Sequence, residues 1–152
     1  MVYGSQDWGI GDILIVDDSS TVRCLLSSLF KDRGYRVFNA INGMEALAYL
    51  ENSTPDLILL DIDLPGISGV EICRKLKADS KTKEIPFIFL SAFDKRSEIV
   101  KAFKSGGTDY VTKPFNPSEL LARVRIHLEL QREIAYRKKV QQDLQKSKNR
   151  IQ

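Results

Sequence analysis

Five short apolar runs punctuate the chain: ILIV (13–16), YRVFNA (35–40), LILL (57–60), FIFL (87–90) and YVT (110–112). Three or four consecutive apolar residues suit strands buried on both faces, as a parallel sheet requires. Between the runs the apolar period changes. Val22, Leu25, Leu26, Leu29 and Phe30 follow i, i+3, i+4, i+7, i+8 after Ser19–Ser20, the stripe of a helix with one buried face. Asn42 with Glu45, and Ser68 with Glu71, have capping-box spacing. Asn116–Pro117–Ser118–Glu119 sets a cap, a proline at the first helical position and an acid at the third. Gly34 and Gly106–Gly107 stand where helix ends need a left-handed residue. Strand and helix alternate five times, and right-handed crossovers turn that order into a doubly wound α/β sandwich around a five-stranded parallel sheet.

The last helix runs past the length a domain needs. No Gly or Pro follows Pro117, so Ser118–Gln152 is free of breakers. Leu120, Leu121, Val124 and Leu128 equip its first half to pack on the sheet. Ile126, Leu130, Val140, Leu144 and Ile151 then fit a 4-3 alternation interrupted by Glu133, Arg137 and Ser147, an imperfect coiled-coil seam or a solvated helix. Residues 131–152 carry seven Lys or Arg against two acids, a net +5, which leaves residues 1–130 at −2 of the total +3. A solvated helix face accounts for such a tail without nucleic acid. The division expected is a leader (1–11), one domain (12–130) and a basic helical extension (131–152). No apolar run approaches the ~20 residues of a membrane span, and MVYGSQDWGIG lacks the parts of a secretory signal. Cys24 and Cys73 lack metal-ligand spacing; both are read as reduced core residues of a cytosolic protein.

In an open parallel sheet, ligands bind at the carboxyl ends of the strands. Asp17–Asp18 follow the first run, Asp61 the third, Ser91 the fourth and Lys113–Pro114 the fifth. Three acids, a hydroxyl and a lysine therefore share one rim. Crowded carboxylates repel; Mg²⁺ relieves them and keeps sites for phosphate oxygens. A carboxylate can attack phosphorus, and a transfer of that kind is mostly positioning and charge neutralisation.

The segments ILIVDDS (13–19), DLILLDIDLPGISG (56–69), FIFLSA (87–92) and DYVTKPF (109–115) together resemble the receiver domain of two-component response regulators. The resemblance covers about residues 12–130 and implies a flavodoxin-like (βα)5 fold. By position, Asp61 matches the phosphoacceptor. Asp17 and Asp18 match the acidic pair that holds Mg²⁺, mainly through Asp18, and Asp63 matches the position whose backbone carbonyl reaches the metal. Ser91 matches the hydroxyl that rotates toward the phosphoryl group, and Lys113 the lysine that pairs with it. Lys113–Pro114 matches a bond usually cis, and Tyr110 the switch aromatic that turns inward on activation. Leu64 replaces a more usual Met, and Phe93 is bulky at a position that influences phosphoryl lifetime.

The resemblance implies a self-phosphorylating, self-dephosphorylating signalling domain, not a turnover enzyme, served by a histidine kinase or phosphotransfer protein. A homodimer is expected through the face of the fourth helix, fifth strand and fifth helix, continued by the tail. The helical pattern stops midway at Ile151–Gln152, so the chain is expected to be either a stand-alone receiver with a helical tail or, the favoured reading, a fragment cut before an output domain. A phosphatase of the haloacid dehalogenase type shares the Asp61–Ile62–Asp63 spacing but places its metal-binding acids after the lysine, whereas here Asp17–Asp18 come first. A flavin or nucleotide binder would need a phosphate loop where DDSST (17–21) presents acids. A degenerate receiver acting only in docking would have lost some of the five site residues, and all are present.

Overall fold

The computed structural model describes residues 11–92, 100, 104, 106 and 108–151. Phe93, Gly107 and the leader before Gly11 lie outside these residues, as does most of the expected fourth helix. The elements are β1 (Asp12–Val16), α1 (Ser20–Lys31), β2 (Arg36–Ala40), α2 (Gly43–Asn52), β3 (Leu57–Asp61), α3 (Gly69–Lys77), β4 (Phe87–Ala92), β5 (Asp109–Lys113) and α4 (Pro117–Ile151). All strand pairs are parallel, in the order β2-β1-β3-β4-β5.

Alternation along the central strands divides the core in two. Leu14, Val16, Ile58 and Leu60 face one side, with Ala46 and Leu50 of α2 and Ile72, Cys73 and Leu76 of α3. Ile13, Ile15, Leu57 and Leu59 face the other, with Leu26 and Phe30 of α1 and Leu120, Val124 and Leu128 of α4. The runs 13–16 of β1 and 57–60 of β3 are thus apolar because neither face of them meets solvent.

The caps form as their sequences suggest. Ser19, Asn42, Ser68 and Asn116 accept from the backbone N–H three residues on, at 3.2, 2.9, 3.2 and 3.1 Å. Glu45 reaches back to the Ile41 N–H at 2.8 Å, one residue beyond the usual reciprocal partner. Gly34 and Gly106 have φ of 92° and 112°, the left-handed region in which a side chain is strained.

Two expectations on α1 need correcting. Leu25 is 58% exposed, and Cys24 is exposed while Cys73 is buried. Each helical residue turns about 100° from the last, so a stripe centred on Leu26 and Phe30 swings Leu25 to its margin and Cys24 to the far side. Ser27 is buried instead and bonds Asn39 of β2.

Asp109, at the start of β5, accepts two bonds from Arg123 (2.9 and 2.8 Å) and lies 3.1 Å from His127 Nε2. These contacts tie the edge strand to α4. The first half of α4 buries Leu120, Leu121, Val124 and Leu128. Two contacts reach along this helix past residue 130. Gln131 donates to the Glu84 carbonyl, and Lys138 Nζ lies 3.0 Å from the Glu84 carboxylate.

Candidate functional site

Asp17 and Asp18 follow β1 just before the cap of α1, Asp61 ends β3 and Lys113 ends β5. The strand order brings these ends together at the carboxyl rim, beside the β1–β3 switch. Asp17, Asp18 and Asp61 each offer an oxygen within 4.8 Å of the others. Asp17 and Asp61 are buried; Asp18 is exposed. Lys113 Nζ lies 3.0 Å from Asp17 Oδ2 and 3.3 Å from Asp61 Oδ2, bridging the two buried acids and leaving the exposed one to solvent.

The backbone holds both buried carboxylates. The Ser19 N–H donates to Asp17 Oδ1 at 2.9 Å and the Asp63 N–H to Asp61 Oδ1 at 3.0 Å. Burial, reinforced by the neighbouring Asp17 charge, pushes Asp61 up to about 6, against the opposing pull of Lys113 and the Asp63 N–H. Burial works to lower Lys113, but its bond to Asp17 and the two carboxylate charges prevail and raise it. A carboxylate whose burial and like-charged neighbour both disfavour its ionised form is short of positive charge. An all-oxygen donor set of three carboxylates fits a small, hard divalent cation.

The other expected residues make their own contacts. Ser91 is fully buried and its hydroxyl donates to the Ala92 carbonyl at 2.9 Å. Tyr110 is turned outward, 38% exposed. The Lys113–Pro114 peptide is cis. Leu64 sits in the core beside α3.

Two contributors escape sequence reasoning. Arg23 Nη1 donates to the Asp17 carbonyl at 2.6 Å, clamping the loop that carries the acidic pair. Gly69 opens α3 against the back of the site, where an added Cβ would lie 2.4 Å from the Asp61 carbonyl oxygen. A glycine eight residues after the strand-end acid Asp61, at a helix start, was the available signal, but nothing in the spacing reveals the close approach.

Residues 13–125 match the profile of the response regulator receiver domain. The chain is 42% identical over 113 residues to the phosphate regulon transcriptional regulatory protein PhoB of Pseudomonas aeruginosa, covering 74% of this chain and 49% of that protein. It is 39% identical over 116 residues to the DNA-binding response regulator MtrA of Mycobacterium tuberculosis, covering 76% and 50%. The chain thus spans about half the length of these curated relatives. Among solved structures, the signal receiver domain of a signal transduction histidine kinase from Syntrophus aciditrophicus superposes with a TM-score of 0.74 at 34% identity, covering 78% of this chain and 90% of that one. A CheY-like response regulator receiver domain protein from Methanospirillum hungatei gives 0.75 at 30% identity, covering 80% and 96%.

Proposed function

Given that this chain belongs to the response regulator receiver domains, we propose that it accepts a phosphoryl group on Asp61 from a histidine kinase or phosphotransfer protein and changes conformation in response. The observation that carries this reading is the cluster itself: Asp61 buried among Asp17, Asp18 and Lys113, with Lys113 Nζ at 3.3 Å. An Asp61 carboxylate oxygen attacks the phosphorus of a phosphohistidine. The O–P bond forms as the P–N bond breaks, and the electron pair returns to the imidazole nitrogen, which is then reprotonated. Lys113 moves its charge from the Asp61 carboxylate to the new phosphoryl oxygens. Asp18, Asp17 and Asp61, with the Asp63 backbone carbonyl, would hold Mg²⁺, which when bound neutralises the carboxylates and the transferred group.

The phosphoryl group brings about −1.5 to −2 charge and three acceptor oxygens. Ser91 answers by releasing the Ala92 carbonyl and donating to one of them, and Tyr110 turns inward beside β4. The surface of β5 and α4 changes with it, and a second copy docks there, continued by the tail. Action as a signalling domain rather than a turnover enzyme, and a cytosolic location, go with this reading; no helix among the described residues is long and apolar enough to cross a membrane. Incubation with acetyl phosphate and Mg²⁺, read by intact-mass spectrometry, tests it. The wild-type chain should gain one phosphoryl group, and the near-isosteric Asp61→Asn should gain none. Stable labelling of that variant sinks the assignment.

A further inference from the structure

Between β1 and α1 the chain has three residues, Asp17, Asp18 and Ser19, and both ends of this loop are pinned. At one end the Asp17 N–H donates to the Ala40 carbonyl at 3.1 Å. At the other, the Ser19 N–H donates to Asp17 Oδ1 at 2.9 Å and Ser19 Oγ accepts from the Val22 N–H at 3.2 Å. The Ser19 carbonyl accepts from the Arg23 N–H at 3.0 Å. Between these anchors lies the Asp17–Asp18 peptide. Its carbonyl is held from α1, by Arg23 Nη1 at 2.6 Å, a short bond strengthened by the guanidinium charge.

Asp18 belongs to neither β1 nor α1, and its carboxylate is exposed. Its direction therefore depends on the peptide planes on either side of it, and Arg23 holds the first of them. Two effects of Arg23 on a bound cation oppose each other. Its positive charge repels a divalent cation nearby. Its bond to the carbonyl fixes two residues of the acidic cluster before any cation arrives, and losing an outer partner of that kind costs about 10–100-fold in metal affinity.

We propose that the second effect governs: Arg23 is a positioning residue that, by holding the Asp17 carbonyl, sets how tightly Asp17, Asp18 and Asp61 take Mg²⁺. This rests on the reading of these carboxylates as the cation site of a phosphoacceptor. The two effects have opposite signs, so removing the arginine decides between them.

Arg23→Met keeps a long stem on a good helix former and removes both the charge and the donor. Amide shifts of Asp18 and Ser19, followed as MgCl₂ is added to the full chain, give the cation affinity with no phosphoryl donor present. In Arg23→Met the half-saturating Mg²⁺ should rise about tenfold, although a repelling charge has gone. Uptake from acetyl phosphate should need correspondingly more Mg²⁺ to reach half its maximal rate. Before any cation is added, the Ser19 amide should exchange its hydrogen faster in the variant. The contact uses one guanidinium nitrogen, so Arg23→Lys should recover most of the lost affinity. Mg²⁺ binding in Arg23→Met as tight as in wild type, or tighter, overturns the inference whatever the variant's urea stability, and leaves the proposed function standing. Weaker binding with Ser19 exchange unchanged overturns it as well, because the loop would not have loosened. A wild-type chain whose amides do not respond to Mg²⁺ defeats the cation site itself, and this inference with it.

Discussion

The ionised form of Asp61 is held in surroundings that disfavour it. Burial and the Asp17 charge hold its folded value at about 6, against an ordinary 3.8. For an acid whose folded value is raised, the sign is definite. Below about pH 4 both states are protonated and Asp61 costs nothing; as pH rises through 6 the folded state loses relative stability, reaching about 3 kcal/mol at most. Without divalent cations, urea unfolding of wild type should therefore show a stability penalty growing between pH 4 and 7. Asp61→Asn should remove that part and be more stable than wild type at pH 7.5 by about 1–3 kcal/mol. Added Mg²⁺ should narrow the gap, since it stabilises wild type and not the variant. Equal stability of the two proteins across that pH range would mean the carboxylate is not destabilised by its surroundings. Asp17, Asp18, Asp61 and Lys113 are legible in sequence because each stands at or just after the carboxyl end of a strand, and a parallel sheet sends all such ends to one rim. Arg23 and Gly69 are not, because each acts through one close contact that only the packed loops create.

Among the elements, the apolar strands and the caps are legible because both are local: a run of apolar residues, or a side chain three residues from its N–H. The width of the α1 stripe is not, since how far Leu25 and Cys24 turn from the core depends on where β2 lies. Gly69 decides how α3 meets β3. In Gly69→Ala the new methyl meets backbone at 2.4 Å, which has no flexible side chain to yield. A loss of about 1–3 kcal/mol in urea unfolding is expected, with slower phosphoryl uptake as Asp61 is displaced. The two halves of α4 should respond to the same change to very different degrees. Leu128 is 3% exposed and Leu144 56%, so Leu128→Ala should cost about 2–5 kcal/mol and Leu144→Ala less than about 0.5. The bond between β5 and α4 adds a pH dependence of the other sign. Burial tends to raise Asp109, but its bonds to His127 and Arg123 prevail and lower it. This contribution is present above the ordinary carboxylate value and fades as pH falls below it; Asp109→Asn should lose it at pH 7.

At the scale of the whole molecule, α4 joins a domain to a long exposed helix. Its 35 residues span about 52 Å at 1.5 Å per residue, and the domain grips them as far as Lys138. Glu119–Arg123 and Glu133–Arg137 are i,i+4 pairs with the acid nearer the N-terminus, the favourable orientation, each worth about 0.2–0.5 kcal/mol. They support the helix but do not bury Leu130, Val140 and Leu144, which are 49%, 46% and 56% exposed at seam spacing. In a parallel pair of helices these side chains would cover one another. Glu133 and Arg137 would then form a polar layer that costs stability and fixes register. A seam so interrupted is weak alone, which suits a contact governed by the phosphoryl state. Tenfold tighter pairing requires only about 1.4 kcal/mol of preference for the phosphorylated conformation. Sedimentation equilibrium of the full chain with and without a beryllofluoride phosphoryl mimic should show dimer rising with the mimic. Val140→Glu/Leu144→Glu should lower the dimer in both states while leaving phosphoryl uptake from acetyl phosphate unchanged. If wild type and variant show the same mass with and without the mimic across micromolar concentrations, the helix does not pair, and another protein must read the phosphoryl state from the domain surface.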